Sequence, residues 1–592
     1  MNRSIRTPRR ARAGAALATV SLLVVSACGG ASSDKDASGT TGGAEAQQSL
    51  GLTADAGESG LAKAGEPRRG GTLVYGIEAE SSAGYCLSSS QLAIGGITVA
   101  RAFYDTLMVP NADGGYSPYL AESLTSNDNQ TVWTVKLRPD IKFHDGSALD
   151  ATVVKNNIDA YRGKYPGRPS LLFTFILQDI AEVNAVDALT VEITTSRPWV
   201  SMPAVLYASA RLGIMAQAQL DAPEDGCATN PIGTGPFRFV SWTKNQKLVG
   251  ERNPDYWQIA PDGEPYPYVD TIEFRPIPDG TVRINSLESG SIDVLHIDEA
   301  ERIKNSLRDL RDAGKINMFV SGDEAEVNFM QLNSSIPPFN DVRMRRALAH
   351  ATNRADNNRR LNASLPEVAS GPFGPGSMGF LEDAGFPAYD PAEAKRLIDE
   401  YRADTGDDGG FTITCSTNPA TIKGAEQIQR QAQAVGLDVK VQTIDQAGLI
   451  DRAIAGSFEA MAFRNFPGGD PDQNYVWWYG GGNPVNFGKW DNPELNELLD
   501  AGRETNDPAK RKEIYQDVNR IMATEVYGLW TTYAVWAVAT DANVHGILGP
   551  PLPGDDPSQP GDASTDDPTR QPARGLAVSH PLLGLWVSEN SG

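Results

Sequence analysis

With 592 residues and 75 acidic against 52 basic side chains, the chain carries a formal charge of −23. That balance excludes a nucleic-acid binder, whose phosphate contacts need a surplus of Lys and Arg. Five histidines and four cysteines show neither H-E-x-x-H nor zinc spacing, so no metal and no cofactor is expected.

The first residues predict export. Arg3, Arg6, Arg9, Arg10 and Arg12 precede an apolar run from Ala15 to Ala27. This is too short for a bilayer-spanning helix, which needs about 20 residues, and it reads as a signal peptide over 1–27. The run ends in Val25-Ser26-Ala27-Cys28, which resembles the bacterial lipoprotein box with Cys28 as the lipidated residue. Several acyl chains there would make a durable anchor to the extracytoplasmic face of the cell membrane. Loss of the five arginines leaves a mature charge of −28. Residues 28–70, rich in Gly, Ser, Ala and Asp, bury too little to fold and read as a flexible tether. The rest is enough for about three or four domain-sized lobes.

The folded part opens on a strand over 71–77, followed by the polar loop EAESSAGYCLSSS. The alternation of TVWTVKLR (131–138) predicts a half-buried strand, and Asp145-Gly146 a turn. Helical spacing covers 150–162, and 189–195 reads as a strand. In NPIGTGPFRFVSW (230–242), Gly233 and Gly235 lack both the third glycine of a dinucleotide loop and the Lys-Ser/Thr of a P-loop. A strand pattern follows them, so they form a turn. Residues 271–277 read as a strand, and the next segment as helix, turn and short buried strand. Beyond about 320, strands alternate with helices that start at Asp390-Pro391, Asn492-Pro493 and Asp507-Pro508. FTITCS (411–416), a helix around 424–436 and LDVKVQTI (437–444) predict a parallel strand–helix–strand unit. Residues 548–575 read as a surface or disordered loop, and the apolar 576–586 as a return that packs somewhere.

No residue reads as catalytic. His144-Asp145 fits the turn, Asp470 and Asp472 fit an Asp-Pro turn, and PGSMG (375–379) lacks the first glycine of G-x-S-x-G. Aromatics and glycines cluster in 463–487. There Phe466, Trp477 and Trp478 are expected to wall a cleft, with Arg464, Asn465 and Asp470 as its polar groups; a core role is the alternative for each aromatic.

IKFHDGSALDATVVKNNIDAYR, NPIGTGPFRFVSW, ERNPDYWQ, PFNDVRMRRAL and GDPDQNY occur in that order. Together they resemble the extracytoplasmic solute-binding proteins of ABC importers, the oligopeptide, dipeptide and nickel-binding class known as family 5, over about 71–547. The resemblance implies an α/β, two-lobed periplasmic-binding-protein-like fold with a hinge. Lobe I would take 71–110, 235–318 and 535–592, an inserted subdomain 111–234, and lobe II 319–534. The facing cleft wall would be the loop after the first strand, with Tyr85 and Ser88. Peptide binders often carry an aspartate for the α-ammonium where this chain has Pro467, so that anchor is absent, and Arg464 favours an anionic ligand. Export favours disulfides. Cys86 and Cys227 would share a lobe and Cys415 lie in the other, so 86–227 is the expected bridge.

The implied function is that of a non-enzymatic, monomeric, lipid-anchored subunit delivering a peptide or peptide-like solute to an ABC permease. An oligosaccharide or a chelated metal is the alternative solute. A secreted hydrolase and a passive scaffold lipoprotein are the alternative classes.

Overall fold

Three sheets of four or more strands carry the fold. In a computed structural model, residues 65–592 are described except 82, 91, 171–172, 323–325, 466–468, 555–566, 574–581 and 589–592. Cys28, Phe466 and Pro467 therefore lie outside the described residues. All described residues belong to one compact unit.

The first sheet has seven strands. In order they are Ile316–Ser321, Trp536–Asp541, Val294–Ile297, Thr72–Ile77, Thr271–Pro276, Lys247–Arg252 and Phe237–Thr243. Thr72–Ile77 runs parallel to both its neighbours, and the late strand Trp536–Asp541 slots in antiparallel between Val294–Ile297 and Ile316–Ser321. The second sheet orders Val439–Ile444, Phe411–Ser416, Ala460–Asn465, Val327–Leu332 and Gly528–Tyr533. Its first two strands are the expected parallel pair, joined by the helix Pro419–Ala434. The third sheet is antiparallel, with order Ala121–Ser126, Val132–Leu137, Thr190–Thr195, Ile180–Ala185. In Val132–Leu137 the alternation buries Trp133, Val135 and Leu137.

Asp390, Asn492 and Asp507 each accept backbone N–H bonds at a helix start, with proline at the first helical position. These caps satisfy donors that a helix leaves unpaired.

The chain crosses between the first and second sheets twice, between Ser321 and Val327 and between Tyr533 and Trp536. A backbone bond from Ala534 N–H to the Glu326 carbonyl (2.6 Å) links the two crossings. Two short adjacent connections are the natural build of a hinge.

The Gly-Thr-Gly turn is structural. A Cβ on Gly233 would stand 2.1 Å from the Phe103 carbonyl oxygen, and one on Gly235 2.5 Å from the Phe103 carbonyl carbon. Thr234 donates to Asp105 (3.0 Å). His144, from the Phe-His-Asp-Gly turn, accepts the Gly233 N–H on Nδ1 (3.3 Å) and donates from Nε2 to the Gly235 carbonyl (2.9 Å). Two of the motifs thus dock on one another. Burial pushes the His144 pKa down to about 4, so the ring is neutral.

Of the two readings of 548–575, surface loop or disordered, the described part follows the first. Its segment 567–573 is ordered: Asp567 caps a 3-10 turn, Pro568–Arg570, and Pro572 bridges to Asn111. Ser117 donates to the Thr569 carbonyl (2.6 Å). The C-terminal return also finds its place. Trp586–Val587 pairs with Val544–His545, and Leu583 and Trp586 pack among Tyr256, Tyr266 and Tyr268.

Candidate functional site

The strand Ala460–Asn465 leads toward a 3-10 turn, Pro471–Asn474, and a single helical turn, Tyr475–Trp478. Asp470 caps the 3-10 turn by accepting the Asp472 N–H (2.9 Å). Its carboxylate also takes two bonds from Arg511, both 2.7 Å. Asp470 is therefore engaged on both counts and does not serve the cleft.

Facing this turn is the segment 173–211, which runs from the helical turn Phe173–Ile176 through the third-sheet strands Ile180–Ala185 and Thr190–Thr195 to the loop beyond them. Between the two lies a narrow cleft of about 30 Å³. Phe173, Ile176, Val205, Ala208, Ser209 and Arg211 form one wall, and Gln473, Val476 and Trp477 the other. The lining is mostly apolar with a few polar groups, the composition typical of small-molecule sites.

A buried ion network closes one flank. Arg503, fully buried, donates to Asp472 (3.1 Å) and to Asp179 (2.8 Å). Its guanidinium lies over the rings of Tyr475 (3.6 Å) and Trp199 (4.3 Å). Asp472 further accepts from Trp199 Nε1 (2.9 Å) and Ser201 Oγ (2.5 Å). Burial disfavours its charge, but Arg503, Ser201, Arg511 and Trp199 outweigh that and hold the carboxyl below its ordinary pKa. Arg197 adds bonds to Asp179 (2.7 Å) and Asp500 (2.5 Å). Trp199, Ser201 and Asp179 come from the segment around the third sheet; Asp472, Tyr475 and Arg503 belong with the second.

The second cluster sits at the crossing strands. Arg464 pairs with Glu78 (2.9 Å), with Asp298, and more loosely with Glu326 (3.9 Å), and lies over Trp536 at 5.3 Å. Burial opposes its charge, but Asp298, Glu78 and Glu326 hold its pKa well above the ordinary value. Glu78 and Asp298 follow strands of the first sheet while Arg464 is in the second, so this arginine bridges the two and is not a free anion receptor.

The remaining expected residues divide. Trp477 lines the cleft and packs on Phe487 (5.6 Å). Trp478 does not: it is core, edge-on to Phe373 (5.2 Å), with its carbonyl accepting from Trp490 (2.8 Å). Asn465 is buried and donates to Asn474 (2.7 Å). Tyr85 is buried edge-on to Trp242 (5.4 Å), so the loop after the first strand supplies no lining through it. Ser88 is also buried, and its hydroxyl, like that of Ser90, has no hydrogen-bond partner among the described residues. Cys86 and Cys227 form a disulfide with Cα atoms 5.0 Å apart, and Cys415 is a buried free thiol. Sequence reasoning missed Arg211, Trp199 and Arg503. For Arg211 a signal existed: it is the lone charge in the otherwise uncharged stretch 198–220.

Glu326 makes the crossing pH-sensitive. Only 4% exposed, its carboxyl is pushed by burial up to about 7, against the pull of Arg464 and with added push from Asp298 and Glu78. The folded state then holds this proton more tightly than the unfolded chain, whose value is 4.5. The resulting stability is full below the unfolded value and is lost as pH rises through the folded one. Glu326→Gln should therefore exceed the wild type in stability by a margin that grows from pH 5 to 8, toward about 3 kcal/mol. Urea melts across that range test this, and a margin that shrinks with rising pH refutes it.

A family model described as bacterial extracellular solute-binding proteins, family 5 Middle, matches residues 115–487, more than half of the chain. The chain belongs to that family. The glutathione-binding protein GsiB of Pectobacterium atrosepticum is 30% identical over 351 residues, 59% of this chain and 65% of that protein. The chain thus spans just under two thirds of that relative's length. Among solved structures, the ABC transporter-associated periplasmic binding protein DppA from Helicobacter pylori, in complex with the peptide STSA, superposes with a TM-score of 0.73. It is 21% identical, with 88% of this chain and 99% of that one covered. AgaA from A. tumefacien R10, in complex with agropinic acid, gives a TM-score of 0.73 at 24% identity over 88% and 99%. At these identities the likeness establishes the two-lobed α/β fold of the family, and nothing about the solute.

Proposed function

We propose that this family 5 chain is the lipid-anchored solute-binding subunit of an ABC importer and captures a peptide or peptide-like solute in the cleft between segment 173–211 and the turn 471–478. The observation that carries this reading is the cleft itself, apolar, lined from two sides and flanked by an ion network whose Arg503–Asp179 link exists only while the two sides meet. A solute held there is enclosed by closure about the two crossing strands, and release to a membrane permease follows from opening. The relatives' names support a peptidic solute, glutathione in one case and the peptide STSA in another. Gentle purification followed by native mass spectrometry tests it. A co-purified peptide-class mass is expected; a stoichiometric sugar or a chelated metal in its place overturns the peptide assignment.

The anchor rests on Cys28 at the end of the apolar run. Cys28→Ala should leave an unprocessed or unanchored form, seen by membrane fractionation. Normal processing and membrane retention of that variant would sink the lipid anchor.

A further inference from the structure

One leucine of the second lobe is buried in the core of the first. Residues 367–369 run beside the strand Gly528–Tyr533, with Val368 bridged to Thr532 and the Ala369 N–H donating to the Thr531 carbonyl (3.1 Å). The residues just before them leave that sheet. Leu365 is fully buried, and every other member of its apolar cluster comes from the first sheet, its helices or the crossing, among them Leu295, Ile297, Ile303, Leu307 and Val320. The turn that presents it is firmly held. Ala363 and Ser364 are both left-handed, with φ of 51° and 59°, and Asn358 Nδ2 donates to the Pro366 carbonyl (2.7 Å). From the first lobe, Lys304 Nζ donates to the Ala363 carbonyl (2.7 Å). Lys304 sits in a single π turn, Ile303–Leu307, an irregularity that gathers at functional positions in helices.

This contact and that of Arg464 lie on opposite faces of the first sheet. Successive side chains of a strand point to opposite faces. In Trp536–Asp541, Ala537 and Ala539 join the Leu365 cluster, whereas Trp536 and Val538 join the other. Arg464, which pairs with Glu78 and Asp298, lies over Trp536. Val476 of the cleft wall belongs to the cluster of Trp536 as well. The crossing strands therefore run between the two contacts. We propose that Leu365 is a stop behind the hinge, which limits how far the two lobes part. A rotation about the crossings that draws Arg464 away from Glu78 and Asp298 drives Leu365 deeper into the first lobe. Leu365 has no exposed surface left, so deeper seating gains no apolar burial. It meets only a close-packed interior that resists compression. A side chain that lines neither wall of the cleft thus sets its opening, and a wider opening weakens whatever closure holds. The consequence for solute affinity rests on the reading of the cleft as the solute site; the stop itself does not.

Small-angle scattering on the solute-free full chain tests the stop without any solute being known. Leu365→Ala makes room for wider opening and should give a larger radius of gyration than wild type. Leu365→Phe overfills the same seat and should give a smaller one. Both disturb a packed core and should lower the urea midpoint. A merely structural leucine would lose stability in both variants with no opposite shift in shape. Lys304→Met frees the Ala363 carbonyl and should shift the radius as Leu365→Ala does, by less. It decides the matter if circular dichroism shows the leucine variants unfolded. Equal radii, or both leucine variants shifted the same way, overturn the proposal; where those do not fold, an unmoved Lys304→Met does so. Opposite shifts with no peptide-class mass on native mass spectrometry keep the stop and reject the peptide reading. A co-purified peptide with equal radii does the reverse.

Discussion

Removal of the Cys86–Cys227 disulfide, by reduction or as Cys86→Ala with Cys227→Ala, is expected to cost up to about 5 kcal/mol of folding stability. The bridge closes a loop of 141 positions, and the chain-entropy model gives about 5 kcal/mol for a loop of that length, as an upper figure. It ties the loop after the first strand to the helix Glu224–Thr229, where the excursion through the third sheet returns. Non-covalent contacts hold the same joint. Tyr85 N–H donates to the Ala228 carbonyl (2.8 Å), and Gln219 Nε2 donates to the carbonyls of Tyr85 (3.2 Å) and Cys227 (2.8 Å). The reduced protein should therefore still fold, with a lower urea midpoint and a larger spread in unfolded dimensions. Cys415 provides an internal clock. Burial pushes its thiol up to about 11, so little thiolate exists at pH 8 and alkylation waits for unfolding. A urea midpoint that does not move on reduction would refute the stabilising role.

What the sequence disclosed was the local chemistry. A cap such as Asp390-Pro391 acts on its own next two residues, and the alternation in 131–138 needs only one sheet face to be buried. The parallel pairing of 411–416 with 439–444 followed from the helix between them. The site was less readable, since it depends on what meets across hundreds of positions. Arg464 and Arg211 are alike in sequence, each an arginine among apolar neighbours. One is neutralised by Glu78, 386 positions away, and the other by no carboxylate among the described residues. Trp477 and Trp478 sit on one helical turn too short to show a period. Phe373 and Trp490 take Trp478 into the core, and its neighbour is left to the cleft. The facing wall was misplaced because the disulfide and Trp242 draw the loop around Tyr85 inward, so segment 173–211 meets the second sheet instead.

The network around Arg503 carries the other large effect, and it should fall mainly on the closed form. In the structure Asp472 and Arg503 are both fully buried, with Asp179 nearly so. Removing one partner of such a pair costs about 3–5 kcal/mol, because the charge left behind stays out of water. When the segment carrying Asp179, Trp199 and Ser201 swings away, Arg503 and Asp472 still face each other within one lobe, but Asp472 loses the Trp199 and Ser201 donors and both gain water. Arg503→Met then penalises closure more than folding of the opened protein. Solute affinity should drop by about two orders of magnitude or more, with a smaller change in the urea midpoint of the solute-free chain. Adding Asp472→Asn should recover part of the loss, since it removes the orphaned carboxylate while an amide can still accept from Ser201 or Trp199. The cycle of the two single variants and the double variant isolates the coupling. Calorimetry with the co-purified solute gives the affinities, and small-angle scattering gives the fraction closed. Arg503→Met binding as tightly as wild type, or single losses that simply add in the double variant, would mean that the network shapes the fold without biasing closure.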